Sequence, residues 1–160
     1  MVRIIDDVWH TIEPISKQCD IELVYQGEKQ AILKIDRARF TQVLINLFDN
    51  SLKYCPDRGH IWIDVKVLES DRNSVEIELY DDGSGFTSAD LPHIFDRLYR
   101  GDVSRQRHPT RTDNLDARTT GSGLGLAIVR QIILAHQGSI VANNHPTTGG
   151  AWFKIILPIN

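Results

Sequence analysis

Several things are scarce in this chain of 160 residues. It has two cysteines, Cys19 and Cys55, far apart, with no Cys-x-x-Cys and no histidine clustered beside them. That pattern speaks against a disulfide framework or a zinc knuckle, and both thiols are expected to be buried and reduced. Long apolar runs are missing: none approaches the ~18 residues that a membrane span requires. The opening VRIIDDVWH carries acid where a secretory leader would be cationic, so a cytoplasmic domain is expected. Basic runs are missing too, and the net charge is −3, which argues against nucleic acid or an anionic membrane as partner. There is no internal repeat and no G-x-x-x-x-G-K-[ST], which excludes a P-loop. What remains is ordinary, with 41% hydrophobic and 24% charged residues. The length suits one globular domain over 1–160.

Hydrophobic periodicity lays out the elements. Residues 2–18 read as a helix with Ile4, Ile5, Val8, Ile12 and Ile15 on one side, kinked or split at Pro14. Residues 21–25 and 31–35 read as short strands around a turn at Gly27, Glu28 and Lys29. Asp36 is placed to cap a helix from 37 to about 54, which Pro56 stops. HIWIDVKVLE and SVEIELYD each alternate apolar and polar residues, and Ser70–Asn73 joins them as a hairpin-like turn. A short helix is expected over 89–95. The segment 101–120 has almost no aliphatic content and no period, and structureless segments of that length in compact domains are usually functional. An apolar helix over 124–136 follows, with Gly138 as its left-handed cap. Strands at 139–143 and 151–157 close the chain. Helices and strands do not alternate strictly, so a mixed sheet with helices on one face is expected.

On the second helix, Phe40, Val43, Leu44, Leu47, Phe48 and Leu52 share a broad arc. Arg39, Gln42, Asn46, Asp49, Asn50 and Lys53 share a narrow stripe. Asn46, Asn50 and Lys53 stand at i, i+4 and i+7. Asparagine is a poor helix former, so two on one stripe suggest a use for their side chains. An amide oxygen is a neutral hard ligand for Mg²⁺, and a lysine one turn on suits phosphate. A solvated polar face fits the same stripe.

The period of two in SVEIELYD turns Asp81 inward with Val75, Ile77 and Leu79. A buried carboxylate needs a donor, and a ligand amine such as adenine's would serve. Gly83 and Gly85 then let the backbone turn and approach something flat, although a plain acidic turn reads the same way. Further on, GSGLGLA places Gly121, Gly123 and Gly125 ahead of a helix, with Leu126 where a dinucleotide fingerprint needs glycine. A glycine-rich turn feeding a helix start is an anion site, and a phosphate chain is the ligand expected there. Arg97, Arg100, Arg105, Arg107, Arg111 and Arg118 cluster in and before the loop, and one or two of them are expected to meet phosphate.

The order of these signals is more specific than any one of them. NLFDNSLKY, DDGSGF, FDRLYRGD and GSGLGL resemble, in sequence, the N, G1, F and G2 boxes of the catalytic, ATP-binding domain of bacterial sensor histidine kinases. GGAWFKIILP resembles the last hairpin of the same domain. The resemblance runs from about residue 3 to 158. It implies an α+β fold, the Bergerat-type α/β sandwich shared with DNA gyrase, Hsp90 and MutL, with about five strands and about three helices on one face. It implies Mg²⁺ and ATP as cofactors. Asn50 would be the Mg²⁺ ligand, with Asn46, Lys53 and Tyr54 lining the nucleotide. Asp81 would meet the adenine amine in a pocket shaped by Gly83 and Gly85. Phe95 and Arg100 would open a lid over about 97–120, and Gly121, Gly123, Leu124 and Gly125 would form its far hinge and phosphate contact. Asn50, Lys53 and Arg100 would act in catalysis. Leu98 departs from a usual phenylalanine, Ser51 from alanine and Cys55 from threonine.

The implied activity is transfer of the ATP γ-phosphate to a histidine on a separate dimerisation domain, then to a response regulator. None of the six histidines lies in an H-E-x-x-T-P-like motif, so the acceptor is expected outside this chain. Related ATPases carry a water-activating glutamate one turn before the metal asparagine. Here that residue is Asn46, which favours transfer over hydrolysis, with Asp49 the nearest carboxylate. A hydrolysing ATPase and a nucleotide-binding regulator without phosphotransfer remain the alternatives.

Overall fold

The computed structural model describes residues 2–28, 33–68, 74–101 and 123–159. Helix α1 (Val2–Gln18) runs through Pro14 as one element rather than two. Proline removes one N–H from the ladder, the donor for the His10 carbonyl. His10 lies on the exposed side of the helix, away from the core. Ile5, Val8 and Ile12 form the buried side of α1.

Helix α2 (Arg37–Tyr54) starts where Asp36 accepts the Arg39 N–H at 3.0 Å, an N-cap that satisfies one orphan donor. Its arc of Phe40, Val43, Leu44, Leu47, Phe48 and Leu52 is buried. So is Ser51, a polar residue among them. The third helix, α3 (Gly125–Ala135), buries Ala127, Val129, Ile132 and Ile133. Of the short helix expected over 89–95, only a 3-10 turn forms, at Leu91–His93.

Five strands make one mixed sheet: β1 (Glu22–Gly27), β2 (His60–Leu68), β3 (Ser74–Asp81), β4 (Ser139–Asn144) and β5 (Ala151–Pro158), in the order β1-β2-β3-β5-β4. Among the described residues, only β1 and β2 pair in parallel. The expected strand at 31–35 does not form over 33–35, and 31 and 32 lie outside the described residues. Its apolar residues Leu33 and Ile35 pack on the core from an irregular segment instead, so burial is met without a ladder. That leaves β1 to pair with β2 and not with a hairpin partner. Lys29 and the turn at 70–73 also lie outside the described residues.

The inner face of the sheet is Ile61, Ile63 and Val65 of β2, Val75, Ile77 and Leu79 of β3, and Phe153, Ile155 and Leu157 of β5, all buried. The helices cover this face, and their apolar stripes and the sheet form one core. The parity that points Val75, Ile77 and Leu79 inward puts Asp81 at the sheet's end on the same side, 0% exposed. Strand β3 is therefore a rail that delivers a carboxylate to the end of the core.

One expected cap is corrected. The left-handed residue after α3 is Gln137, with φ 58°, not Gly138. Gly138 N–H bonds the Ile133 carbonyl and Gln137 N–H the Leu134 carbonyl, both at 3.0 Å, a Schellman closure. Gly138 is needed for room: a Cβ there would come within 2.5 Å of the Ile156 carbonyl oxygen on β5.

Candidate functional site

The stripe on α2 is half-buried at Asn46, Asn50 and Lys53, while Asp49 is exposed. The amide nitrogens of Asn46 and Asn50 are buried without a hydrogen-bond partner. A buried amide left unmet costs roughly 1–3 kcal/mol, and here two stand on one stripe. Lys53 Nζ stands 4.9 Å from the centre of the Tyr54 ring. From the opposite side, Gly125 opens α3 beside Asn46, its Cβ position 3.5 Å from Asn46 Oδ1. A side chain longer than a methyl group would enter the space next to that amide.

Asp81 is held from two directions. Its Oδ1 accepts the Gly83 N–H and the Ala151 N–H, each at 3.0 Å. Its Oδ2 is buried and unpartnered. The Asp81 backbone carbonyl accepts from Thr148 Oγ1 at 2.6 Å. A Cβ on Gly150 would come within 2.1 Å of that same carbonyl oxygen, so only glycine fits. Gly83 packs on the end of α2, its Cβ position 2.7 Å from the Tyr54 carbonyl oxygen. Gly85 takes φ +67° beside Gly149 and Asn144. Asn144 clamps this turn, accepting the Phe86 N–H at 2.7 Å and donating to the Phe86 carbonyl at 2.9 Å. Burial pushes the Asp81 carboxyl above the ordinary carboxylate range, while Ser51 and the Gly83 and Ala151 amides act against the rise.

The neighbouring Asp82 behaves oppositely. It is partly buried, which alone would raise its pKa. Bonds from Cys55 Sγ at 3.0 Å, from the His60 N–H and from the His60 ring outweigh burial and hold it below the ordinary range. Burial, then the Asp82 carboxylate, pushes the Cys55 thiol well up, so it serves as a donor and not a nucleophile.

On the other flank, Phe95 is half-buried and Arg130 lies over its ring at 6.0 Å. Leu98 takes φ +65° and is 70% exposed. Its N–H donates to the Gly123 carbonyl at 2.9 Å. Gly123, at φ +69°, packs so closely on Leu98 and Tyr99 that a Cβ would come within 2.7 Å of the Tyr99 carbonyl oxygen. Arg100 is exposed. Behind this junction Asp90 is buried and accepts from Tyr99 Oη and Thr87 Oγ1, both at 2.7 Å. Gly121 and the arginines at 105, 107, 111 and 118 lie outside the described residues.

The expected residues therefore fall into two linked groups: Asp81, Gly83, Gly85 and Tyr54 at the foot of α2, and Asn46 with Gly125, Leu124 and Gly123 about two turns up. Asn50 lies between them on the same stripe. Sequence reasoning missed Ser51, Asn144, Thr148, Gly150 and Asp90. Thr87-x-x-Asp90 has the form of a capping box, which was a usable signal for Asp90. Asn144 and Thr148 had none, because their partners are 58 and 67 residues away.

Comparison with known proteins fits this geometry. Residues 35–160 match the family described as histidine kinase-, DNA gyrase B-, and HSP90-like ATPase. The chain belongs to this ATPase family. It is 41% identical over 159 residues to the sensor protein SphS of Synechococcus elongatus, covering 99% of this chain and 37% of SphS. Among solved structures, a mycobacterial sensor histidine kinase, MprB, superposes with a TM-score of 0.77 at 25% identity, covering 99% of this chain and 95% of that one. Histidine kinase ThkA, solved in complex with response regulator protein TrrA, superposes with a TM-score of 0.75 at 22% identity, which shows the shared fold; all of this chain and 40% of that one are covered. The five-stranded mixed sheet with its helices is thus the α/β sandwich of histidine kinase catalytic domains. The chain spans little more than a third of SphS. No helix among the described residues is long and apolar enough to cross a membrane.

Proposed function

We propose that this domain binds Mg·ATP and donates its γ-phosphate to a histidine on a separate dimerisation domain, for onward transfer to a response regulator. The observation that carries the reading is a set of buried, unmet polar atoms: the donor nitrogens of the Asn46 and Asn50 amides and the acceptor Asp81 Oδ2. When bound, Mg·ATP supplies a transferable phosphoryl group and a cation that offsets its charge. Asn50 offers a neutral amide oxygen for that cation. Asp81 Oδ2 accepts from the base's amine, held in register by Thr148, Gly83 and Ala151. The first turn of α3 presents N–H groups toward anionic oxygens. Lys53 and Arg100 add positive charge from the two flanks.

Transfer is favoured over hydrolysis because the position one turn before Asn50 is Asn46, which takes no proton from water. Asp49, the nearest carboxylate on the helix, is exposed while the two amides are buried. The relation to a named sensor protein and to a kinase solved with a response regulator supports the partners.

The test mixes the chain with γ-labelled Mg·ATP and the dimerisation domain of the same kinase. The expected product is acid-labile, base-stable label on that domain. Steady release of free phosphate by the chain alone, with no labelled partner, would replace the kinase with a hydrolase.

A further inference from the structure

Among the described residues two carboxylates are buried, Asp81 and Asp90. Asp81 belongs to the base pocket, whereas Asp90 stands apart from it, behind the junction of Leu98 with Gly123. A carboxylate in the interior is costly unless donors surround it. Asp90 has them: Oδ1 accepts from Tyr99 Oη and Oδ2 from Thr87 Oγ1, both at 2.7 Å. Thr87 Oγ1 in turn accepts the Asp90 N–H at 3.1 Å, which ties the carboxylate to its own turn. Gly101 lies flat against the same group, since a Cβ there would come within 2.8 Å of the carboxyl carbon and of both oxygens. Tyr99 by its hydroxyl and Gly101 by its backbone therefore rest on one buried carboxylate. Arg100 stands between them, and it is exposed. From the other side, the Leu98 N–H holds the Gly123 carbonyl and Gly123 packs on the Tyr99 carbonyl. The backbone on both sides of Arg100 is thus fixed at the mouth of the site.

We propose that Asp90 is a positioning residue for phosphoryl transfer: it seats Tyr99 and Gly101 so that the Arg100 guanidinium is aimed at the phosphate chain. This rests on the phosphotransfer reading above. Guanidinium donors form a rigid fork, so their worth to a phosphate depends on direction as well as charge. An arginine on loose backbone would order that backbone each time it met phosphate, and here the order is already present. Asp90 is not placed to take a proton from a substrate, because it is 7% exposed and each of its oxygens already accepts from a hydroxyl. Its effect on the reaction runs through Arg100.

The experiment is a double-mutant cycle on the rate of label transfer from γ-labelled Mg·ATP to the dimerisation domain of the same kinase. Tyr99→Phe removes the bond to Asp90 and keeps the ring beside His93, 5.3 Å away between centroids. It is made alone and together with Arg100→Ala, and KM for ATP is measured beside kcat. Expected is a loss of roughly fivefold to tenfold in kcat for Tyr99→Phe, the range of one hydrogen bond, with KM changed by less than about twofold. Arg100→Ala alone should lose at least as much. Adding Tyr99→Phe to Arg100→Ala should then cost less than about twofold more, because the group being aimed is gone. A full further loss in the Arg100→Ala background would overturn the proposal, since Tyr99 and Asp90 would then act on the fold and not through Arg100. An unchanged kcat in Tyr99→Phe would overturn it as well. So would an unchanged kcat in Arg100→Ala, which leaves nothing to position. If the unmodified chain labels no partner, the phosphotransfer reading itself fails, a result distinct from these. Melting temperatures monitor folding; should Tyr99→Phe melt below the assay temperature, Asp90→Asn, which keeps an acceptor for Tyr99 and removes the charge, carries the same cycle with rescue toward the unmodified rate expected.

Discussion

Asp81 and Asp82 are neighbours in sequence with opposite electrostatics, and residue-scale predictions follow from that. The raised pKa of Asp81 means the folded state favours the neutral acid. Its ionisation therefore costs stability as pH rises from the ordinary aspartate value through the raised one, and the cost is complete above both. Asp81→Asn keeps the Oδ1 acceptor for Gly83 and Ala151 and removes the charge. The expected outcome is a chain more stable by about 1 kcal/mol at neutral pH, measured by urea denaturation without nucleotide. The same variant is expected to bind ATP and GTP with nearly equal affinity; retained preference for ATP would remove Asp81 from base recognition. The depressed Asp82 contributes stability that is present above its ordinary value and lost as pH falls through the folded one. Asp82→Ala should destabilise by about 1–3 kcal/mol at neutral pH, with a smaller penalty near pH 3. Asn50→Ala is expected to weaken Mg·ATP by at least about tenfold while leaving Mg-free nucleotide much less affected, read by calorimetry with and without EDTA. An unchanged affinity in Mg²⁺ would disqualify Asn50 as the metal residue.

Elements carry the next set of constraints. The tip between β4 and β5 is more than a turn: Asn144, Thr148 and Gly150 hold the Asp81 backbone and the Phe86 loop at fixed distances. Gly150→Ala would force a methyl group to 2.1 Å from a carbonyl oxygen, a contact no rotamer relieves. A destabilisation of about 2–4 kcal/mol is expected by chemical denaturation, since backbone must move on both strands. The end of α3 offers the reverse case. Gln137 holds a left-handed conformation that costs an L-residue roughly 1–2 kcal/mol. Gln137→Gly is expected to raise stability by about 0.5–1 kcal/mol, visible as a higher denaturation midpoint, whereas Gly138→Ala should lower it. If Gln137→Gly destabilises, its side chain does something that the cap geometry does not contain.

For the molecule as a whole, the layer arrangement explains where the site sits. A sheet covered on one face leaves the ends of its strands and the foot of its longest helix meeting at a single rim. β3 brings a carboxylate there by parity, α2 brings amides by its 3.6-residue period, and α3 brings an N-terminus by the Leu98–Gly123 bond. The groups come from α2, the turn after β3, α3 and the β4–β5 tip, so global unfolding and loss of nucleotide binding are expected to coincide. Mg·ATP should therefore raise the melting temperature in a concentration-dependent way, by mass action on the folded state. A melting temperature indifferent to saturating Mg·ATP would separate the site from the fold.

The buried arc of α2, the inward aspartate of β3 and the polar stripe were legible in the sequence because each depends on a local period. The four boxes NLFDNSLKY, DDGSGF, FDRLYRGD and GSGLGL also read in order along the chain. The strand expected at 31–35 is absent over 33–35 because short alternation reports burial, not pairing, and β1 pairs with β2 in parallel. Gly138 was misread because a glycine after a helix serves either φ or close approach, and only the position of β5 decides which. Thr148, Asn144 and Ser51 carried no local pattern: their meaning comes from atoms that chain closure places beside them. Sequence alone determined which residues turn inward and which chemistry they bring, because side-chain direction follows backbone repeat. Tertiary structure decided which of those inward groups are left unsatisfied together, because a hydrogen bond spans about 3 Å whatever the distance along the chain.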